Sequence, residues 1–162
     1  MTLPTSFPLS MSQVATELGR SLPLSMNDPM VLALASKPNL PASFSDLLGQ
    51  SGHVNANGTV QQFGTFDYRV NFTGTPFFSP IGGYISTLQE STTSQNLAVF
   101  STDLHPSWTG KILVTNTSLG RSLKLSFVGN GQWGGPSGGG AGGIGIFANA
   151  GATYNFTIYP SN

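Results

Sequence analysis

Thr65-Phe66-Asp67-Tyr68-Arg69-Val70-Asn71-Phe72 alternates apolar and polar residues without a break. Phe66, Tyr68, Val70 and Phe72 fall on one face of an extended chain, and Thr65, Asp67, Arg69 and Asn71 on the other. This period of two marks a half-buried strand. Tyr154, Phe156 and Ile158 alternate with Asn155 and Thr157 in the same way, and Leu123, Leu125 and Phe127 with Ser122, Lys124 and Ser126. Ile81–Leu88, Leu97–Phe100, Lys111–Thr117 and Ile144–Phe147 are further strand candidates. Asn57-Gly58 and Asn130-Gly131 carry the residue pair that favours tight turns, the second opening a longer loop. Thr117-Ser118-Leu119-Gly120 is expected to join two strands as a hairpin. Seven or eight short strands with closely spaced turns, and no long helical pattern between them, predict an antiparallel β-sandwich or jelly-roll-like domain over residues 52–162.

The first fifty-one residues follow a different rule. Pro8-Leu9-Ser10-Met11-Ser12-Gln13, Pro23-Leu24-Ser25-Met26-Asn27-Asp28 and Pro41-Ala42-Ser43-Phe44-Ser45-Asp46 are one phrase written three times. Each sets a serine three residues before Gln or Asp, the spacing of a capping box that satisfies free N–H groups at a helix start. Ser10, Ser25 and Ser43 are therefore the expected caps. Pro29 sits too deep for a helix beginning after Ser25, so the second helix is expected to start at Asn27 or Asp28. Gly19 and Gly49 suit left-handed C-terminal caps, and Pro38 lies beyond the second helix. Helices of roughly six to nine residues are not stable alone in water. Val14, Leu18, Met30, Val31, Leu34, Leu47 and Leu48 must therefore pack on something, either another chain or the β body. These seven are the candidate docking residues, and 1–51 is the expected anchoring module. A compact three-helix cap on its own domain is the alternative.

Composition narrows the function classes. The chain has 162 residues, of which 38% are hydrophobic and only 7% charged, with zero formal net charge and no cysteine. So few charges leave a surface weakly protected against association, which points to burial in an assembly and to a homo-oligomer, a trimer being one arrangement. Disulfides and thiolate metal sites are excluded. Zero net charge without a Lys/Arg cluster argues against nucleic-acid binding. No apolar run nears the ~20 residues of a membrane helix. Residues 1–10 contain no basic residue and two prolines, so a secretory signal peptide is not expected. No catalytic set is found, and no metal or cofactor is expected. His53 and His105 lack ligand spacing, Asp103 beside His105 has no accompanying nucleophile motif, and the acids are scattered. Gly129–Gly145 is glycine-rich but lacks the Lys-Ser/Thr ending of a phosphate loop, so it reads as a long loop. Trp108, Trp133 and Tyr159 are the aromatics that could stack on a sugar. Asn-x-Ser/Thr triplets at Asn57, Asn71, Asn116 and Asn155 are read as chance in an Asn- and Thr-rich chain.

Leu3-Pro4-Thr5-Ser6-Phe7-Pro8-Leu9-Ser10-Met11-Ser12-Gln13-Val14, followed by Glu17-Leu18-Gly19, resembles the start of many tailed-bacteriophage structural proteins. Those often open on a phrase of the type Pro-x-Ser-Gly-x-Ile-Ser-x-Ser-x-Ile. Leu24-Ser25-Met26-Asn27-Asp28 and Ala42-Ser43-Phe44-Ser45-Asp46-Leu47-Leu48-Gly49 look like the second and third phrases of the same module. The chain departs at Phe7, where glycine is common. The resemblance covers about the first third of the chain and implies a virion component assembled in the bacterial cytoplasm, with other virion proteins as partners. A tail protein of the baseplate or fibre attachment is the first expectation and a capsid decoration protein the second. A receptor- or carbohydrate-binding module, touching host glycan through Trp108 or Trp133, is the third.

Overall fold

The alternating stretches form strands, as their period requires. The computed structural model describes all residues except 1, 38–39, 66, 77–83, 92–95, 103–104, 107, 137–144 and 162. Among the described residues the chain runs α1 (Met11–Glu17), α2 (Pro29–Leu34), α3 (Phe44–Leu47), β1 (Val54–Thr59), β2 (Gln61–Phe63), β3 (Asp67–Pro76), β4 (Tyr84–Ser91), β5 (Asn96–Ser101), β6 (Lys111–Asn116), β7 (Arg121–Gly129), β8 (Gln132–Pro136) and β9 (Thr153–Ser161). The protein is mainly β and antiparallel. Among the described residues nine strands stand where seven or eight were expected: six of the named candidates are strands, and β1, β2 and β8 are additional, β1 and β8 lying where a turn and a long loop were expected. Phe66 and residues 81–83 lie outside the described residues, so the strands read from Thr65 and Ile81 are seen from Asp67 and Tyr84.

The strand order is β1-β9-β6-β7-β8-β5-β4-β3-β2, every neighbour antiparallel. Its two ends, β1 and β2, are consecutive in sequence with only Val60 between them. Val60 still bonds towards β9, donating to the Ala152 carbonyl at 2.9 Å and accepting from Gly151 N–H at 2.8 Å. β7 also serves two neighbours. Its residues up to Leu125 pair with β6, and those from Ser126 pair with β8. Strands that change partners midway turn the corners of a folded-over sheet. The sheet is thus nearly closed around one core, and Val70, Ile85, Leu88, Leu97, Val99, Ile112, Val114, Trp133 and Ile158 lie in it without measurable exposure.

Two Asn-Gly pairs behave differently. Asn130 and Gly131 both have positive φ (49° and 68°) and form the two-residue turn between Gly129 and Gln132. That pattern matches the twist of paired strands. The expected long loop over 129–145 is corrected accordingly: Gln132–Pro136 is strand β8, held by β5 and β7, and the loop lies beyond it. Residues 137–144 of that loop are outside the described residues. Asn57-Gly58, expected as a turn, lies inside β1. A Cβ at Gly58 would stand 2.1 Å from Val70 Cγ1, so the glycine makes room for β3 to pack across β1. Gly145–Phe147, part of the Ile144 strand candidate, is not a strand but a bend. Its backbone is held by side chains, as described below. The Thr117–Gly120 hairpin joins β6 to β7 as expected.

The three helices begin largely where their caps direct. Ser10 accepts from Gln13 N–H at 3.3 Å, and Gln13 Oε1 accepts from Ser10 N–H at 2.8 Å, a complete capping box. At α3, Asp46 accepts from the N–H and the hydroxyl of Ser43, both at 2.8 Å. Ser25 is not a cap. Asp28 caps α2 by accepting from Met30 N–H at 2.8 Å, with Pro29 in the first turn, as the proline demands. Ser25 instead accepts from Asn27 N–H within the preceding turn. Left-handed residues end all three helices: Gly19, Ser36 and Gly49, at φ 62°, 56° and 71°. Pro38 lies outside the described residues.

Of the two covers open to the apolar side of this segment, another chain or the β body, the structure shows the β body. Val14, Leu18, Met30, Val31, Leu34 and Leu47 are at most 1% exposed within the single chain, and Leu48 is half-buried. The six buried ones belong to one cluster of buried side chains that continues into the β body. The ends of the segment also meet, with Leu3 N–H donating to Gln50 O at 2.9 Å and Gly49 N–H to Pro4 O at 2.8 Å.

Candidate functional site

What the module leaves outside is as regular as what it buries. The residue before each repeated proline is large, apolar and exposed: Phe7 59%, Leu22 55% and Leu40 51%. Pro8, Pro23 and Pro41 are exposed as well, each after a cis peptide bond. Two residues later the chain turns inward. Leu9, Leu24 and Ala42 pack against the core, and so do Met11, Met26 and Phe44. The triple phrase therefore builds three equivalent outward apolar steps on a buried base. These three make up half of the large apolar side chains exposed among the described residues, the others being Phe63, Tyr84 and Val128. The signal was present in the sequence as the residue preceding each repeated proline. Helix periodicity marks the inward residues and carries no information on a residue that precedes the helix.

The titratable side chains that are buried serve the backbone. Glu17, at the end of α1, accepts from Gly52 N–H at 2.9 Å and lies 3.1 Å from His53 Nδ1. His53 Nδ1 is also 3.1 Å from the Glu17 carbonyl, and Nε2 is 3.1 Å from Asn55 Nδ2. Asn55 Oδ1 accepts from Thr157 Oγ1, which leaves its Nδ2 to donate to His53 Nε2 and places the imidazole proton on Nδ1. The imidazole stacks on Tyr159 with ring centres 4.9 Å apart. Burial, and then the Glu17 carboxylate, raises the Tyr159 phenol above its ordinary value of 10.0. This group joins the helical segment to β1 and β9. Both imidazole nitrogens are engaged, so the group ties the helical segment to the sheet.

Glu90 forms a second buried centre. Its carboxylate accepts from the N–H groups of Gly145, Ile146 (3.2 Å) and Phe147 (3.4 Å). The carbonyls of the same segment are held from the other side. Arg121 Nη1 donates to Gly145 O at 3.0 Å and Phe147 O at 2.6 Å, and Asn116 Nδ2 to Ile146 O at 2.9 Å. A non-strand segment can lie in the core because side chains replace the ladder it lacks.

Trp108 and Trp133 are corrected as ligand contacts. They are 8% and 0% exposed, and their indole N–H groups donate to Lys111 O (3.1 Å) and Gly110 O (2.9 Å). Neither offers a ring face to solvent. Asp103 lies outside the described residues, and His105 is exposed. Among the described residues no group of three or more His, Cys, Asp and Glu is arranged to hold a metal ion, and no helix is long and apolar enough to cross a membrane. A shallow cleft of about 300 Å³ lies between Thr2–Pro4 and the Ser12, Gln13 and Thr16 side of α1. No protein-family model, curated protein or solved structure matches the chain.

Proposed function

We propose that this protein is a non-enzymatic structural component of a bacteriophage virion, a tail protein at the baseplate or fibre attachment, docked through its first fifty-one residues. The observation that carries the reading is the threefold exposed apolar step at Phe7, Leu22 and Leu40. An apolar side chain exposed at the same position of each phrase, on a surface weakly protected against association by charge, suits a protein partner. The resemblance of the opening phrases to tailed-phage structural proteins supplies the particle. The docking residues are therefore the three outward ones, and the seven apolar residues of the helices build the base that holds them.

Quantitative mass spectrometry of purified particles tests this. A tail location predicts a few to tens of copies per particle, on the order of the symmetry of a closed ring. Hundreds of copies would move the protein to the head lattice as a decoration protein. Absence from particles made by a host that expresses the chain would overturn the reading.

A further inference from the structure

Around Asn57 and Asn155 the outward face of β1, β9 and the end of β6 carries uncharged hydrogen-bonding groups, while Lys111 and Lys124 stand on the same face farther along β6 and β7. β1 contributes Asn55, Asn57 and Thr59, and β9 contributes Thr153, Asn155 and Thr157; Thr115, Thr117 and Ser122 continue it. Two of the Asn-x-Thr triplets are explained by this face. Within a strand such a triplet sends both polar residues to the same side, as Asn57-Gly58-Thr59 and Asn155-Phe156-Thr157 do. Asn116, by contrast, is buried.

Most groups on this face satisfy one another. Thr59 and Thr153 hydroxyls are 2.7 Å apart, Thr115 and Ser122 2.9 Å, and Thr157 donates to Asn55 at 3.0 Å. The side-chain amides of Asn57 and Asn155 bond to no described residue. They stand directly opposite each other across the ladder, so their Cβ atoms are about 5 Å apart. A groove of about 380 Å³ runs over them, bordered by Asn55, Thr117 and Thr157.

We infer that this groove binds a neutral polysaccharide chain, with Asn57 and Asn155 as the recognising residues. Each amide sets two donors beside an acceptor, the pattern that meets two neighbouring sugar hydroxyls. The groove lining contains no cation to select a phosphate or acidic sugar. It also exposes no large apolar side chain of the kind that anchors a protein partner. The surface uses none of the three docking residues, so it stands or fails apart from the docking reading.

The test is affinity electrophoresis of the full chain in gels containing dextran, mannan or a galactan, beside Asn57→Ala/Asn155→Ala. Both residues are exposed, so the double variant is expected to keep the wild-type melting temperature. The expected result is retardation by at least one neutral polysaccharide, weakened about tenfold or more in the double variant. It should be unchanged between about 0.05 and 0.5 M salt and retained in F7S/L22S/L40S. No retardation by any of the three, equal retardation of the double variant, or binding that salt abolishes would overturn the proposal. So would sugar covalently attached at Asn57 or Asn155, or self-association through this face in place of polysaccharide binding.

Discussion

Glu17 is the only carboxylate on the buried side of α1, and its position sets how the helical segment meets the β body. Replacing it with alanine leaves buried Gly52 N–H without its acceptor and takes the carboxylate from His53 Nδ1, which keeps the backbone carbonyl of residue 17. Glu17→Ala is expected to lower unfolding free energy by about 1–3 kcal/mol, measured by urea denaturation. Gly58 makes a second single-atom demand. The methyl of Gly58→Ala would enter the space of Val70, and the cost of such overpacking is about 1–3 kcal/mol, read as a lower melting temperature. These residues differ in how far the sequence exposes them. A lone acid beside Val14 and Leu18 is visible as an irregularity, but its partner lies 35 residues away. Gly58 was visible only as a turn residue, because an Asn-Gly pair looks the same in a turn as in a strand that must admit a neighbour.

At the scale of elements, local chemistry was readable and tertiary chemistry was not. Ser10 and Ser43 act as their spacing predicts, while Ser25 loses its role to Asp28 because proline fixes the first turn. The strands from Lys111, Ser122 and Tyr154 lie where alternation put them. Gly145–Phe147 could not be read, since nothing near it in sequence reveals Glu90, Asn116 and Arg121 as its partners. The cap of α3 makes a pH prediction. The Ser43 backbone N–H, then its hydroxyl, then Lys37 hold Asp46 below its ordinary value of 3.8. A lowered folded-state value contributes stability that is present above 3.8 and lost as pH falls through the folded value. Amide resonances of residues 43–47 should therefore shift towards disorder on acidification below that point. In Asp46→Asn the same resonances should show no such step. An identical acid response in both proteins would remove Asp46 as its source.

For the whole molecule, the decisive feature is where apolar surface ends up. Periodicity identified the side chains that must be buried, but covering them by the same chain depends on a sheet that nearly closes and a helical segment that shares its core. Neither property is local, which is why helix faces and caps leave the cover of these side chains open between another chain and the β body. One shared core predicts one unfolding event. Calorimetry should give a single transition for the full chain, with a ratio of calorimetric to van't Hoff enthalpy near one; two separated transitions would show that the segment and the body fold independently. With the inward residues buried, Phe7, Leu22 and Leu40 are the exposed apolar residues of the segment through which the proposed docking would act. The most direct measurement is incorporation of F7S/L22S/L40S into particles, quantified by mass spectrometry against the wild-type chain at equal expression. If docking runs through these three residues, the variant folds with the wild-type melting temperature and is lost from the particle. A folded variant present at wild-type copy number would contradict it.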